Sequence, residues 1–358
     1  MKAPERILKV VNHEEPDRVP AFESAFTNNT ILKHYGMESV GRGYKTIYDF
    51  YRKVGIDLVL SYVSLFPRKF FKGGYVDEYG RIMKSETYKD GTSLFGYYGG
   101  EFKTFEDYES WEQPDPFLDL RVTQFKLGRK NQEELNNEVF SIPATGALME
   151  CTWEGFGIET FSRILGRPKN AKKVFDDRGK FTLELIKILA DNDAQMILLW
   201  DDYGFKNGLF MNPDNYRKYI FPWIKQICDA AHKRDCKIML HSDGDIHEIF
   251  EDIIECGVDV INPIEPMTAN REYDIFKLNQ KYGDQITFSG NLSPVLLAMG
   301  KISEIEVYAK KLIRELAPNG GYIFGSGHSI NPAVTVDRFE SMQNIRRKYG
   351  NYPINVPE

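Results

Sequence analysis

Cysteine is scarce in this chain of 358 residues, and none of the four, Cys151, Cys228, Cys236 and Cys256, stands in a CxxC spacing. That excludes zinc-knuckle and dithiol patterns, and reduced core thiols are expected rather than a disulfide framework. Long apolar runs are missing too: no stretch of about 18 apolar residues occurs, so no membrane-spanning helix is expected. The opening Met1-Lys2-Ala3-Pro4-Glu5-Arg6 leads into no apolar run of signal-peptide length, and the expectation is a soluble, cytoplasmic protein. Excess positive charge is absent as well. Lys and Arg number 46 against 52 Asp and Glu, a formal net charge of −6 that gives no electrostatic footing for nucleic acid. Gly73-Gly74 and Gly99-Gly100 lack a phosphate-loop pattern, which argues against a nucleotide site. What is present is ordinary globular composition, 42% hydrophobic and 27% charged.

Eight segments rich in Val, Ile, Leu and Phe read as strands: 18–24, 57–64, 139–146, 196–201, 237–242, 258–263, 286–290 and 321–325. Most are nearly continuous apolar runs, as expected of strands covered on both faces. Helical patterns fill the later intervals, at 213–234, 246–256, 271–282 and 303–317. Asn212-Pro213 supplies an N-cap and a first-turn proline. Glu255-Cys256-Gly257 and Lys281-Tyr282-Gly283 supply glycines able to take the left-handed conformation at a helix end. Strand-helix alternation implies parallel pairing, and the expected fold is α/β, a (β/α)8 TIM barrel formed by one domain over 1–358. Segment 66–137 breaks the alternation with Gly, Tyr, Phe and charge. It is read as antiparallel hairpins followed by a helical stretch, inserted after the second strand as a lid, a docking surface or a structural cover.

Several apolar segments end in chemically able residues, most clearly His241-Ser242-Asp243-Gly244 after Lys237-Ile238-Met239-Leu240. Residues two apart on a strand face the same side, so His241 and Asp243 can converge on one ligand. Barrel active sites are built at the carboxyl ends of the strands. Those ends nominate Glu23, Glu150 and Asn291 as substrate-binding residues and His241, Asp243, Glu265 and His328 as metal ligands, with zinc the expected ion. Glu265 is read as a fourth ligand or a support for the others. Asp201-Asp202 closes another apolar run, and a buried carboxylate pair raises one pKa. Asp202 is therefore the expected catalytic acid, with Tyr203 beside it.

The chain resembles the uroporphyrinogen decarboxylase superfamily over nearly its whole length. The resemblance rests on the stretch from Glu5-Arg6 to Glu15-Pro16-Asp17-Arg18-Val19-Pro20, on Trp200-Asp201-Asp202-Tyr203-Gly204 and on His241-Ser242-Asp243-Gly244. Gly257-Val258-Asp259-Val260-Ile261-Asn262-Pro263 and Gly320-Gly321-Tyr322-Ile323-Phe324 follow in order. It implies a (β/α)8 barrel and a homodimer. Decarboxylases of the superfamily hold substrate carboxylates with arginines just after the first strand, whereas 21–29 contains none. The aspartate expected after the second strand is also absent from Leu60-Ser61-Tyr62-Val63-Ser64.

Coenzyme M methyltransferases of the superfamily hold zinc through a His-x-Cys pair and a later Cys; the matching positions here are His241, Asp243 and His328. Nitrogen and oxygen ligands suit an oxygen substrate better than a thiol. The resemblance thus implies a corrinoid-dependent methyltransferase acting on a small methylated, methoxyl-bearing substrate. An Asp-x-His-x-x-Gly pattern is absent, so the corrinoid is expected on a partner protein. The alternatives are a metal-independent decarboxylase or lyase using His328 and Asp202, and a non-catalytic tetrapyrrole carrier.

Overall fold

The computed structural model describes residues 1–37, 44–89 and 91–357. Strand β1 is Leu58–Tyr62, followed by β2 Pro67–Phe71, β3 Gly74–Asp77, β4 Arg81–Thr87, β5 Ser93–Gly100, β6 Phe140–Gly146 and β7 Met196–Trp200. Then come β8 Gly204–Phe205, β9 Gly208–Leu209, β10 Lys237–His241, β11 Val260–Asn262, β12 Thr287–Ser289 and β13 Tyr322–Ile323. Seven of these form one curled parallel sheet in the order β1-β6-β7-β10-β11-β12-β13, each strand beside its successor. Helices Pro168–Asp191, Phe221–His232, Phe250–Glu255, Ile275–Tyr282 and Ile302–Leu316 lie between successive strands. The apolar runs of the sequence are explained by this arrangement, because both faces of the sheet are covered.

Two separate apolar clusters mark the two faces. Leu58, Leu60, Phe140, Ile142, Ala144, Met196, Leu198, Met239, Val260 and Ile323 point inward and pack with Ala3, Ile7, Val10 and Val11. The intervening residues, such as Val59, Ile197, Leu199, Ile238, Leu240 and Ile261, join the larger cluster under the helices. Helix Ala3–Val11 therefore closes the amino ends of the strands, and Gly321 donates its N–H to Val10 O there at 2.9 Å. A clasp holds that helix in place: buried Asp57 accepts from Arg6 at 2.7 Å, from Arg18 at 2.8 and 2.9 Å, and from the Ala21 N–H at 2.8 Å. With one end filled, access to the interior lies at the carboxyl ends.

The strand expected over 18–24 is reduced to isolated bridges, Arg18 to Asn351, Ala21 to Phe324 and Phe22 to Leu58, of which the last two touch both edges of the curled sheet. Pro20 has no N–H to donate, so a ladder cannot extend through it. The helix expected over 213–234 is divided into Pro213–Asn215, a π-helical turn Tyr216–Ile220, and Phe221–His232. Pro222 removes an i→i−4 bond there, and the helix widens at that place. Asn212 does cap the first piece, accepting from the Asp214 N–H at 2.8 Å. Gly257 takes φ +90° after Cys256, whereas Gly283 keeps a right-handed φ of −66°. All four cysteines are free and buried.

Between β1 and β6 the chain forms an antiparallel sheet in the order β2-β3-β4-β5, then helices Phe105–Ser110 and Asp119–Glu134. This sheet is tied to helix Glu150–Phe156, which follows β6, by the Phe102 N–H to Gly155 O bond of 3.0 Å and by Arg81. No helix among the described residues is long and apolar enough to cross a membrane.

Candidate active site

Where the inward faces of β7, β10, β11 and β12 reach the open end, their apolar residues give way to Trp200, His241, Asn262 and Ser289. His241 is 3% exposed, and its ring lies 4.3 Å from that of Trp200 at a shallow 32°. The register pairs His241 directly with Asn262. Asn262 Oδ1 stands 2.9 Å from His241 Nδ1, while Asn262 Nδ2 donates to Ser289 O and Oγ at 3.3 and 3.1 Å. A carbonyl oxygen only accepts, so the amide nitrogen must face Ser289 and the amide oxygen must face the imidazole. His241 therefore donates from Nδ1 and turns Nε2 toward the mouth, where the neutral ring would present a lone pair.

That Nε2 faces two carboxylates, Asp202 Oδ1 at 3.9 Å and Asp243 Oδ2 at 3.8 Å. The alternation of the strands continues past their ends. Trp200 and Asp202 turn to the mouth, as do His241 and Asp243, while Asp201 and Ser242 turn back into the protein. Gly244 permits the sharp exit after Asp243: it has φ +83°, and a Cβ there would lie 2.3 Å from the Gly204 carbonyl carbon. The backbone N–H of Asp243 donates to Asp202 Oδ1 at 2.8 Å and draws the two carboxylates together. Burial and the nearby charge of Asp243 push the Asp202 carboxyl up to about 6. Burial acts the same way on Asp243, but the bond to His328 and the charges of His241 and His328 outweigh it and hold that carboxyl below its ordinary value.

One donor atom from each of Asp202, His241 and Asp243 lies within 4.8 Å of the others, a spacing that a single metal ion can span. Asp243 Oδ1 is buried with no hydrogen-bond partner, which leaves a carboxylate oxygen unsatisfied inside the cluster. Two nearby carboxylates and an aimed imidazole lone pair are a donor set that zinc accepts. The residues present fit a divalent ion.

The remaining candidates surround this cluster at different removes. His328 is half exposed and places Nε2 3.2 Å from Asp243 Oδ2, and that bond raises its pKa against the opposing effect of burial. Glu265 stands within range of the charges of Asp243 and His328, its carboxyl raised first by burial and then by Asp243. Glu150 accepts from the Asp202 N–H at 3.4 Å and lies 3.6 Å from Arg81; burial and the repulsion of Asp202 and Glu154 hold its carboxyl well above the ordinary range. Glu23 is fully buried at the far side of the mouth and accepts from the N–H of Ser326 at 3.2 Å. Asn291 has both ends of its amide committed, Nδ2 to Ile264 O at 2.8 Å and Oδ1 to the Tyr308 hydroxyl at 3.2 Å.

Tyr203, expected beside Asp202, is placed elsewhere. It is fully buried with its ring against Tyr216 and Phe221, at 5.4 and 6.2 Å. Alternation accounts for this, because the residue next to an inward Asp202 must face the helices. Asp201 has the same outward sense, and its Oδ1 accepts the N–H groups of Met149 and Glu150 at 2.7 and 2.9 Å, holding the start of helix Glu150–Phe156.

Trp200, Asn262 and Arg81 belong to the site without having been nominated from sequence. Asn262 sits at the inward end of an expected strand, and pairing β10 with β11 in register would have found it. Arg81 gives no local signal. It reaches from β4 to Asp77 at 2.6 Å and to Glu154 at 2.9 Å, and so joins the antiparallel sheet to the acidic residues behind Asp202.

Residues 97–349 match the family model for uroporphyrinogen decarboxylase. The uroporphyrinogen decarboxylase of Chlorobaculum tepidum is 26% identical over 244 residues, 62% of this chain and 64% of that protein. That of Thioalkalivibrio sulfidiphilus is 22% identical over 255 residues, 66% of this chain and 67% of that protein. The chain thus aligns with about two thirds of the length of these relatives. Among solved structures, a methyltransferase from Methanosarcina mazei superimposes with a TM-score of 0.70 at 16% identity, covering 98% of this chain and 99% of that one.

Proposed function

The chain belongs to the uroporphyrinogen decarboxylase family, and we propose that within it this protein is a methyltransferase that moves a methyl group from a small methylated, methoxyl-bearing substrate to the Co(I) corrinoid of a separate protein. The observation that carries this reading is the cluster of Asp202, His241 and Asp243, backed by Trp200 and Asn262, at the open end of the sheet. The solved neighbour of matching fold is named as a methyltransferase, which agrees with it. A closed (β/α)8 barrel, with segment 66–137 as a cover beside the mouth and a homodimeric assembly, completes the proposal.

In this reading Asp202, His241 and Asp243 would hold a zinc ion, with Glu265 close behind, and the ion would supply Lewis-acid polarisation of an ether oxygen. Asn262 keeps the His241 lone pair directed at the site. Trp200 covers the buried face of the imidazole and excludes water from it. As the methyl leaves for cobalt, the electrons of the C–O bond stay on oxygen, which then takes a proton. His328 is suited to deliver it, being half exposed to solvent, with the bond to Asp243 favouring its protonated form. Expectation from sequence had these two roles the other way round, with His328 a ligand and Asp202 the acid.

Zinc content should approach one per chain and fall in Asp202→Ala and His241→Ala, and methoxylated compounds should methylate Co(I) cobalamin only with the zinc-loaded chain. Metal-free protein that transfers methyl at the same rate would overturn the reading. The second reading, a decarboxylase or lyase, draws on the named activity of the relatives and on the pairing of a carboxyl near 6 with His328. Carbon dioxide release from a small acid without metal would support it.

A further inference from the structure

The antiparallel sheet carries a file of rings on one face. Its register sets Phe70, Tyr75, Met83 and Tyr97 in one row across the four strands, and Phe95 stands two residues from Tyr97 on the same side. The Phe70 and Tyr75 rings lie 6.4 Å apart and those of Tyr75 and Phe95 5.0 Å apart, with Phe70 78% and Phe95 54% exposed. The exposed cations of the strands belong to the opposite face. Lys84 sits 3.1 Å over the Tyr98 ring, Lys69 sits 4.6 Å over Trp111, and Arg68 reaches the Glu112 carbonyl. Among the described residues of these strands, the exposed part of the ring face is thus left apolar and without charge. A bare apolar face of this kind on a protein surface marks an interaction site.

The file runs on to the rim of the mouth. Tyr97 and Trp153 lie 5.3 Å apart, Trp153 stacks on Phe210 at 5.1 Å, and Phe210 lies 5.5 Å from Phe205, itself 46% exposed. Trp153 belongs to the helix whose Glu150 accepts from the Asp202 N–H. Phe205 ends β8 and Phe210 follows β9, in the hairpin that leaves Asp202. Strands β2, β3 and β4 lie outside residues 97–349, the part matched by the family model, so most of this face is an addition to it. We infer that the ring face is the docking surface for the protein that carries the corrinoid. The inference rests on the methyl-transfer reading for its occupant. Cobalt has to come within bonding distance of a methyl group at the mouth, so the protein that presents it must close over the rim, and this face continues from that rim. An uncharged face also fixes the chemistry of the partner's side: an apolar surface beside its cofactor, held by apolar burial rather than by ion pairs.

The test titrates the full chain calorimetrically with each Asp-x-His-x-x-Gly corrinoid protein of the source organism. One of them should bind with a negative heat-capacity change and with little dependence on salt. The double variant Phe70→Ser, Phe95→Ser should bind it about ten- to a hundredfold more weakly, and both side chains are exposed enough for the fold to survive their loss. In methyl transfer the KM for the protein-bound corrinoid should rise by the same factor with kcat held, while transfer to free Co(I) cobalamin stays as in the native chain. A native chain that binds none of these proteins, a double variant that binds as the native chain does, or an equal loss with free cobalamin would overturn the inference. So would a native dimer that the double variant breaks, because the occupant would then be a second copy of the chain. Binding that depends on Phe70 and Phe95 in a native chain without methyl transfer would defeat the methyl-transfer reading and leave the docking surface standing.

Discussion

Asn262 holds His241 in a single tautomer, its Oδ1 2.9 Å from Nδ1 and its amide nitrogen bound to Ser289. The consequence falls on the opposite ring nitrogen, which is directed between Asp202 and Asp243 and is the lone-pair donor of the neutral ring. A strand pairing two residues away from the cluster thereby sets the chemistry of the imidazole.

Asn262→Leu should accordingly weaken zinc binding by about 10- to 100-fold, the usual effect of losing a hydrogen-bond partner behind a ligating histidine. Asn262→Asp, which still accepts from Nδ1, should recover part of the loss. Competition titration with a chromophoric chelator measures both. Undiminished affinity in Asn262→Leu would show that the imidazole needs no such support.

Asp201 and Asp202 are neighbours with opposite senses, and their variants should separate accordingly. Asp201→Ala leaves the N–H groups of Met149 and Glu150 buried without an acceptor. A cost of about 1–3 kcal/mol in denaturant unfolding is expected, with metal binding retained in the folded protein. Asp202→Ala should remove metal binding at little cost in stability. The idea fails if both variants unfold at the native midpoint or if both keep the metal.

Arg81 lies within ion-pairing distance of Asp77, Glu150 and Glu154 and is buried with them. Arg81→Met should destabilise the protein by about 3–5 kcal/mol, because it leaves buried carboxylates uncompensated. Proteolysis should then cut preferentially within 67–100, where the antiparallel sheet loses its attachment. An unchanged unfolding midpoint would refute this account of the network.

Burial pushes the Glu23 carboxyl up to about 7 from the ordinary 4.5, against the opposing bonds from Ser326. The folded chain then binds this proton more tightly than the unfolded chain does. Charging Glu23 opposes folding above pH 7, and that opposition is relieved as the pH falls from 7 toward 4.5. Glu23→Gln should therefore melt higher than the native chain at pH 8, by up to roughly 3 kcal/mol, with the difference shrinking at pH 5. Thermal melts of both proteins at the two pH values check it; a native chain as stable as the variant at pH 8 counts against the buried carboxylate.

Much of the site was legible because a strand imposes period two on whatever follows it. His241 and Asp243 could be paired on one side from sequence, and so could Trp200 and Asp202. The same rule, carried one residue further, turns Tyr203 toward the helices. Local chemistry also located the Asn212 cap. It failed at Gly283, where the helix ends without a left-handed residue, and at Pro20 and Pro222, where a missing N–H interrupts elements that composition alone would have continued.

The sequence by itself determined the order of strands and helices and the few polar residues at the strand ends, since apolar periodicity and alternation are local properties. Tertiary structure decided which of those residues meet. Asp202 joins His241 because β7 lies beside β10, Asn262 reaches the imidazole through the β10–β11 register, and Arg81 approaches from a separate sheet. Glu23 meets Ser326 across 303 residues of chain because residues 21 and 22 bridge the two edges of the curled sheet. Such contacts depend on strand pairing and closure, which no local pattern encodes.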